Sequence, residues 1–137
     1  MVFHERIPSR LELVPRAIST ILSKLKNGVY DGESIFYLKL SLEEAITNAI
    51  RHGNKLNPAL SVDITIEEHP GSISITVQDE GAGFDYAHTP DPTRHENLKK
   101  TSGRGVFLIR NLMDEVRYSD GGRTLTMIKR FKEGAGR

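Results

Sequence analysis

The stretch LSLEEAITNAIRHGNK, Leu40 to Lys55, decides how the rest of the chain is read. Leu38, Leu42, Ala45 and Ala49 recur at helical spacing, so a helix is expected from about Glu33 to His52, with that stripe buried and Gly53 as its cap. Glu44 and Asn48 stand at i and i+4 on this helix and therefore share one face. Asparagine is a poor helix-interior residue because its side chain competes for backbone hydrogen bonds, yet its carboxamide oxygen suits a hard cation such as Mg²⁺. A solvated helix face explains any single Glu–Asn pair as readily, so this pair gains meaning only from its surroundings. Glu43 points about 100° away from Glu44 around a 3.6-residue helix; it lacks the relation to Asn48 and is read as facing solvent or a salt bridge.

On the N-terminal side, VFHERI reads as a short strand. Ser9 followed by Glu12 resembles a capping box, with Pro15 tolerated in the first turn of a helix. Ile18, Ile21, Leu22 and Leu25 form that helix's apolar stripe, and Asn27-Gly28 stops it. On the C-terminal side, Leu60, Val62, Ile64 and Ile66 alternate with polar residues, as do Ile73, Ile75 and Val77, and EHPGS connects them as a hairpin. A segment without periodicity runs from about Asp85 to Ser102; an ordinary surface loop is one reading of it, but loops this long are usually functional or disordered. GVFLIRNLMDE then reads as a helix with Val106, Ile109 and Met113 inward. EVRYS and TLTMIKRF form a second hairpin around Asp120-Gly121-Gly122. Helices and antiparallel strands in blocks predict an α+β fold, a mostly antiparallel sheet covered on one face by helices.

The chain of 137 residues suits one domain, and its 37% hydrophobic and 27% charged residues are ordinary for a soluble protein. A formal net charge of +1 offers no electrostatic case for nucleic acid or an anionic membrane. With no cysteine there is neither a disulfide framework nor a thiolate metal site. The five histidines are scattered without a paired helical spacing, which argues against a histidine metal site. Nothing resembles a signal peptide or a membrane span, so a cytoplasmic protein is expected.

Two further polar clusters fall at expected element ends. In VQDEGAGFD a strand ends in Asp79 and is followed by Gly81 and Gly83. Glycines let backbone approach a ligand closely, and a strand-end carboxylate can accept from an exocyclic amine such as that of adenine. In SGRGVFLIRNL, Gly103 and Gly105 precede a helix whose free N–H groups favour phosphate. This pattern does not fit the dinucleotide fingerprint, which needs a third glycine within a parallel βαβ unit.

The order E-x-x-x-N on a helix, a strand ending D-x-G-x-G, an irregular segment, G-x-G opening a helix and a closing hairpin resembles the GHKL ATP-binding family of gyrase, histidine kinases and mismatch-repair ATPases. Within that family EEAITNAIRHGNK, DEGAGFD, DPTRHENL, SGRGVFLIRNLMDEV and TLTMIKR look most like the bacterial anti-sigma factor serine/threonine kinases. The resemblance implies one Bergerat-type domain over residues 1–137, a two-layer α/β sandwich with a mobile ATP lid at about 85–103. It implies that Glu44 is the general base and that Asn48 holds the Mg²⁺ bridging the ATP phosphates. Asp79 then matches the adenine-binding aspartate, Gly81 and Gly83 its close-approach turn, and Gly103, Arg104 and Gly105 the lid end over phosphate. Arg104 reads as a phosphate or substrate contact, or as a plain surface residue. Thr124 matches a threonine that supports Asp79 and adenine, with Thr126 as its competitor. Implied partners are a sigma factor and a STAS-domain antagonist of the anti-sigma factor, with a homodimer and no direct nucleic-acid or membrane contact. The alternative is a non-catalytic, ATP-gated binding module. An autonomous histidine kinase, which needs dimerisation helices with a phosphoacceptor histidine, and a gyrase-like ATPase, which needs a second domain, are not the expected readings.

Overall fold

The structure, a computed structural model, describes residues 2–25, 30–81 and 109–131. Five strands, β1 (Val2–Pro8), β2 (Ser61–His69), β3 (Ser72–Gln78), β4 (Glu115–Ser119) and β5 (Thr124–Arg130), form one sheet in the order β1-β2-β3-β5-β4. Every adjacent pair is antiparallel, which bears out the expected α+β class. The β2–β3 hairpin turns through Pro70-Gly71, where Gly71 takes a φ of 76° that glycine adopts without a Cβ penalty.

Register sorts the two faces. Val62, Ile64 and Ile66 of β2 stand beside Ile73, Ile75 and Val77 of β3, which stand beside Leu125 and Met127 of β5, and all are buried. The alternate positions, among them Thr65, Thr76, Thr124 and Thr126, lie on the other face and remain partly exposed. Helices α1 (Val14–Lys24) and α2 (Gly32–Asn48) cover the apolar face, contributing Ile18, Ile21, Leu38, Leu42, Ile46 and Ala45 to a single core. Full burial of one such aliphatic side chain is worth about 1.5–3 kcal/mol. That outweighs the few tenths lost at serine and threonine positions of α2, so packing rather than propensity holds this helix.

Three local expectations are corrected. Ser9 does not cap α1, which starts after a 3₁₀ turn at Leu11–Leu13 and has no side-chain cap; the Ser9 hydroxyl instead donates to the Leu60 carbonyl at 2.8 Å. Pro15 does sit in the first turn of α1, where its missing N–H costs nothing. The α-helical part of α2 ends at Asn48 rather than His52, and a π turn from Ala49 to Gly53 follows. Gly53 is therefore not an α-helical cap. The N-terminus of α2 is capped by Asp31, whose carboxylate accepts from the Ser34 N–H at 3.0 Å. Residues 109–112 are helical, with Ile109 and Met113 in the core. The expected lid at 85–103 and Val106 lie outside the described residues.

Candidate functional site

The π turn at the end of α2 widens the backbone where Asn48 emerges, a departure that tends to occur at functional positions. Beyond it the chain reaches Asn54, only 2% exposed, whose side chain joins three elements. Its Oδ1 accepts from the Glu80 N–H at 2.8 Å, while its Nδ2 donates to the Ser9 hydroxyl at 2.8 Å and the Ser61 carbonyl at 3.0 Å. The end of α2 is thereby tied to the Asp79–Gly81 turn that leaves β3 and to the start of β2. Glu80 reinforces the junction by accepting from Arg6 at 2.9 Å and from the Ser61 N–H at 3.1 Å.

The junction is close enough to exclude a Cβ. A methyl on Gly53 would lie 2.4 Å from the Asp79 carboxylate, and one on Gly81 would lie 1.8 Å from the Gly53 carbonyl oxygen. Glycine at both positions lets two backbones meet and holds Asp79 over the helix end.

A pocket opens at this junction. Ala45, Asn48 and Gly53 form its helix side, Val77 and Asp79 come from β3 and the turn beyond it, and Tyr118, Arg123 and Leu125 close it from the β4–β5 hairpin. The small alanines leave room that a larger helix residue would fill, and Val77, Leu125 and Tyr118 make an apolar floor because their register puts them on the helix-covered face. Burial is the main influence on Asp79 and raises its carboxyl above the ordinary carboxylate range. The Gly81 N–H, donating to Oδ1 at 2.9 Å, and the Arg123 charge oppose that rise. Burial likewise pushes the Tyr118 hydroxyl up to about 12, so it lines the pocket as a neutral group. An apolar slot with one buried carboxylate is suited to a flat heteroaromatic base bearing an amine.

Asn48 and Asp79 thus line one cavity, and Gly81 stands at the turn beside it. Glu44 lies one turn before Asn48, roughly 6 Å along the axis, half-exposed and beyond the pocket lining. Glu43 is exposed and faces a separate groove between α1 and α2, with Val14, Lys39 and Arg51. Thr124 pairs with Gln78 on the open face and does not line the pocket; Thr126 pairs with Thr76 on the same face. The alternation of buried Leu125 and Met127 in TLTMIKR was the signal that separates both threonines from the core face. Arg123 lines the pocket in their place and lay outside every marked motif, while Gly53 was read only as a helix cap and Asn54 only as part of the quoted EEAITNAIRHGNK stretch. Gly83, Gly103, Arg104 and Gly105 lie outside the described residues.

Among the described residues no group of three or more His, Asp or Glu side chains forms a metal cage. Mg²⁺ accompanying a nucleotide needs only one or two protein oxygens besides phosphate and water, a role that the Asn48 carboxamide at the pocket wall fits. No helix among the described residues is long and apolar enough to cross a membrane.

A sheet covered on one face by helices, with this pocket at the helix end, is consistent with a histidine kinase-like ATPase; residues 7–129 match that domain, and the chain belongs to its family. Its relatives narrow the class. The serine-protein kinase RsbW of Staphylococcus epidermidis is 32% identical over 136 residues, spanning 93% of this chain and 86% of that protein. The serine-protein kinases RsbW of Staphylococcus aureus strains MSSA476 and JH9 are 32% and 31% identical over the same shares. The expected place among the RsbW-like serine/threonine kinases is borne out by these relatives.

Proposed function

We propose that the protein is an anti-sigma factor that binds and silences a sigma factor and uses ATP to phosphorylate a STAS-domain antagonist on serine. The observation that carries this reading is the convergence of Asn48 and Asp79 on one pocket with Glu44 a helical turn outside it, in a chain related to serine-protein kinases. Adenine enters the slot between Ala45, Val77 and Leu125 and presents its exocyclic amine to Asp79. The triphosphate then runs out along α2 towards Asn48. Gly81 and Gly83 supply the close backbone approach, and Gly103, Arg104 and Gly105 end the lid of residues 85–103 over phosphate. Mg²⁺, when bound with Asn48 and the phosphates, neutralises charge on the transferring group. Glu44, nearest the outer end of this track, takes the proton of the attacking serine hydroxyl. Thr124, on the neighbouring strand end, supports the Asp79 region from the opposite face of the sheet. The domain extends over residues 1–137 and works as a cytoplasmic homodimer that regulates transcription through its protein partners.

The test combines purified protein, a STAS-domain protein carrying the acceptor serine, radiolabelled ATP and Mg²⁺, with sigma-factor binding measured in parallel. Phosphate transfer to serine supports the reading. Binding of ATP and partners without transfer replaces it with the ATP-gated binding module.

Two substitutions probe the pocket. Asn48→Ala lowers Mg²⁺-dependent ATP affinity by roughly ten- to a hundredfold, the loss of one contact to a charged group. The fold persists because Asn48 is only half-buried. Calorimetry with and without Mg²⁺ measures this, and an unchanged affinity removes Asn48 as the metal ligand. Asp79→Ala weakens ATP and erases the preference over GTP, because guanine presents an acceptor where adenine presents an amine. Competition between the two nucleotides decides; equal losses for both indicate that the turn has collapsed.

A further inference from the structure

Asp79 is held from two directions. On one side Asn54 grips the Glu80 N–H. On the other the holder is Arg123, which engages the same turn with both backbone and side chain. Its carbonyl accepts from the Asp79 N–H at 2.9 Å, and its Nε donates to the Gly81 carbonyl at 2.6 Å. Its Nη1 donates to the Asp120 carbonyl at 3.0 Å, which fixes the guanidinium against the 3₁₀ turn Asp120–Gly122 that precedes β5. One residue thus brackets the three-residue turn at its first N–H and its last carbonyl. The Gly81 N–H meanwhile occupies Oδ1 of Asp79.

We propose that Arg123 is a positioning residue for the nucleotide base, locking the Asp79–Gly81 turn so that the remaining carboxylate oxygen of Asp79 is aimed into the pocket. The inference rests on reading this pocket as the adenine site. A planar guanidinium suits the task, since its donors diverge at fixed angles and reach the Gly81 and Asp120 carbonyls together, whereas a lysine ammonium has no fixed fork. Arg123 also supplies a positive charge beside a carboxylate that burial would otherwise drive towards its neutral form. An ordinary surface staple would hold the hairpin without influencing what Asp79 binds. Here the stapled atoms flank the base-reading carboxylate, and Arg123 is itself one of the pocket's lining residues.

Among the described residues the charged and titratable groups around Asp79 are Arg123 and Asp120 from the β4–β5 hairpin, and Tyr118 of β4 and His52 of the π turn, which share the pocket lining; Glu80 is engaged by Arg6 and Ser61. Arg123 lowers the Asp79 pKa and desolvation raises it, so removing the guanidinium raises it further. The ionised carboxylate accepts the adenine amine. Affinity therefore falls on acidification, and without Arg123 the fall begins at a higher pH.

The experiment titrates ATP calorimetrically into the full chain from pH 5 to 8 for wild type, Arg123→Gln, Arg123→Lys and Asp79→Asn, with thermal melting of each and turnover at saturating ATP. Arg123→Gln is expected to bind ATP roughly ten- to a hundredfold more weakly, the range for a hydrogen bond from a charged group. Its acid limb moves to higher pH, and turnover at saturating ATP stays within about threefold, because positioning of the base acts on binding rather than on the transferring phosphoryl group. Arg123→Lys keeps a cation, so its acid limb stays near that of wild type while its affinity remains reduced; it also serves if Arg123→Gln fails to fold. Wild-type affinity and an unmoved acid limb in both Arg123 variants, with Asp79→Asn impaired, overturn the role of Arg123 and leave the adenine site standing. Undiminished binding by Asp79→Asn overturns the adenine-site reading and the inference with it.

Discussion

On the proposed function, replacing Glu44 with Gln is expected to lower phosphoryl transfer to a STAS-domain protein by roughly 10²–10⁴-fold, the usual contribution of a general base, while ATP affinity changes little. Glutamine keeps the shape and hydrogen-bonding reach of the side chain and removes only its basic oxygen. The half-exposed position of Glu44 outside the pocket lining separates it from the parts of the site that would grip ATP, so a fall in turnover without a fall in binding is the expected signature. At 1.36 kcal/mol per factor of ten, the loss corresponds to about 3–5 kcal/mol of barrier. Single-turnover transfer measured beside an ATP titration provides both quantities. Normal transfer by Glu44→Gln moves the base elsewhere, and Glu43 is the next residue to replace, although it faces the groove between α1 and α2.

Gly81→Ala is expected to abolish useful nucleotide binding, with a loss of at least about 10²-fold, the scale of effect that a 1 Å displacement produces at a site requiring fixed geometry. The added methyl would stand 1.8 Å from the Gly53 carbonyl oxygen, against 3.4–4 Å for ordinary contact. The Cβ is fixed by its own backbone and the atoms it meets are the Gly53 backbone carbonyl, so no side-chain rotation relieves the overlap, and either the Asp79–Gly81 turn or the π turn must shift. Overpacking of this kind typically also costs about 1–3 kcal/mol of stability. ATP affinity and melting temperature measured together test it. Wild-type binding by Gly81→Ala would show that the turn yields without disturbing Asp79, and the close approach would then have no part in recognition. Gly53→Ala differs in kind, because its methyl would meet the Asp79 carboxylate rather than backbone, and that side chain can rotate away only by losing its aim.

The strands were legible because each has one wet face and one dry face. The period of two in Val62, Ile64, Ile66 and in Ile73, Ile75, Val77 survives as the buried layer of β2 and β3. Helix ends were less legible, since a cap is a competition among partners distant in sequence. Ser9 has the local pattern of a capping residue, but Leu60 and Asn54, 51 and 45 residues away, claim its hydroxyl. Gly53 has the local pattern of a helix stop, but its lack of a Cβ is used by Asp79 across the chain.

For the site, the sequence by itself determined the residue types and their order: Glu44 and Asn48 one turn apart on a helix, then a strand running out into Asp79 and Gly81. Those relations are local, set by helical pitch and strand period once the core holds each element in place. Only the tertiary structure decided which groups surround them. Strand pairing fixed the register that turns Thr124 and Thr126 to the open face and leaves Leu125 to floor the pocket. The return of the β4–β5 hairpin to β3 brought Arg123 to the Gly81 carbonyl, 42 residues distant. Such contacts depend on where the backbone places atoms that are far apart along the chain, and that is settled by burial of the shared core rather than by any motif.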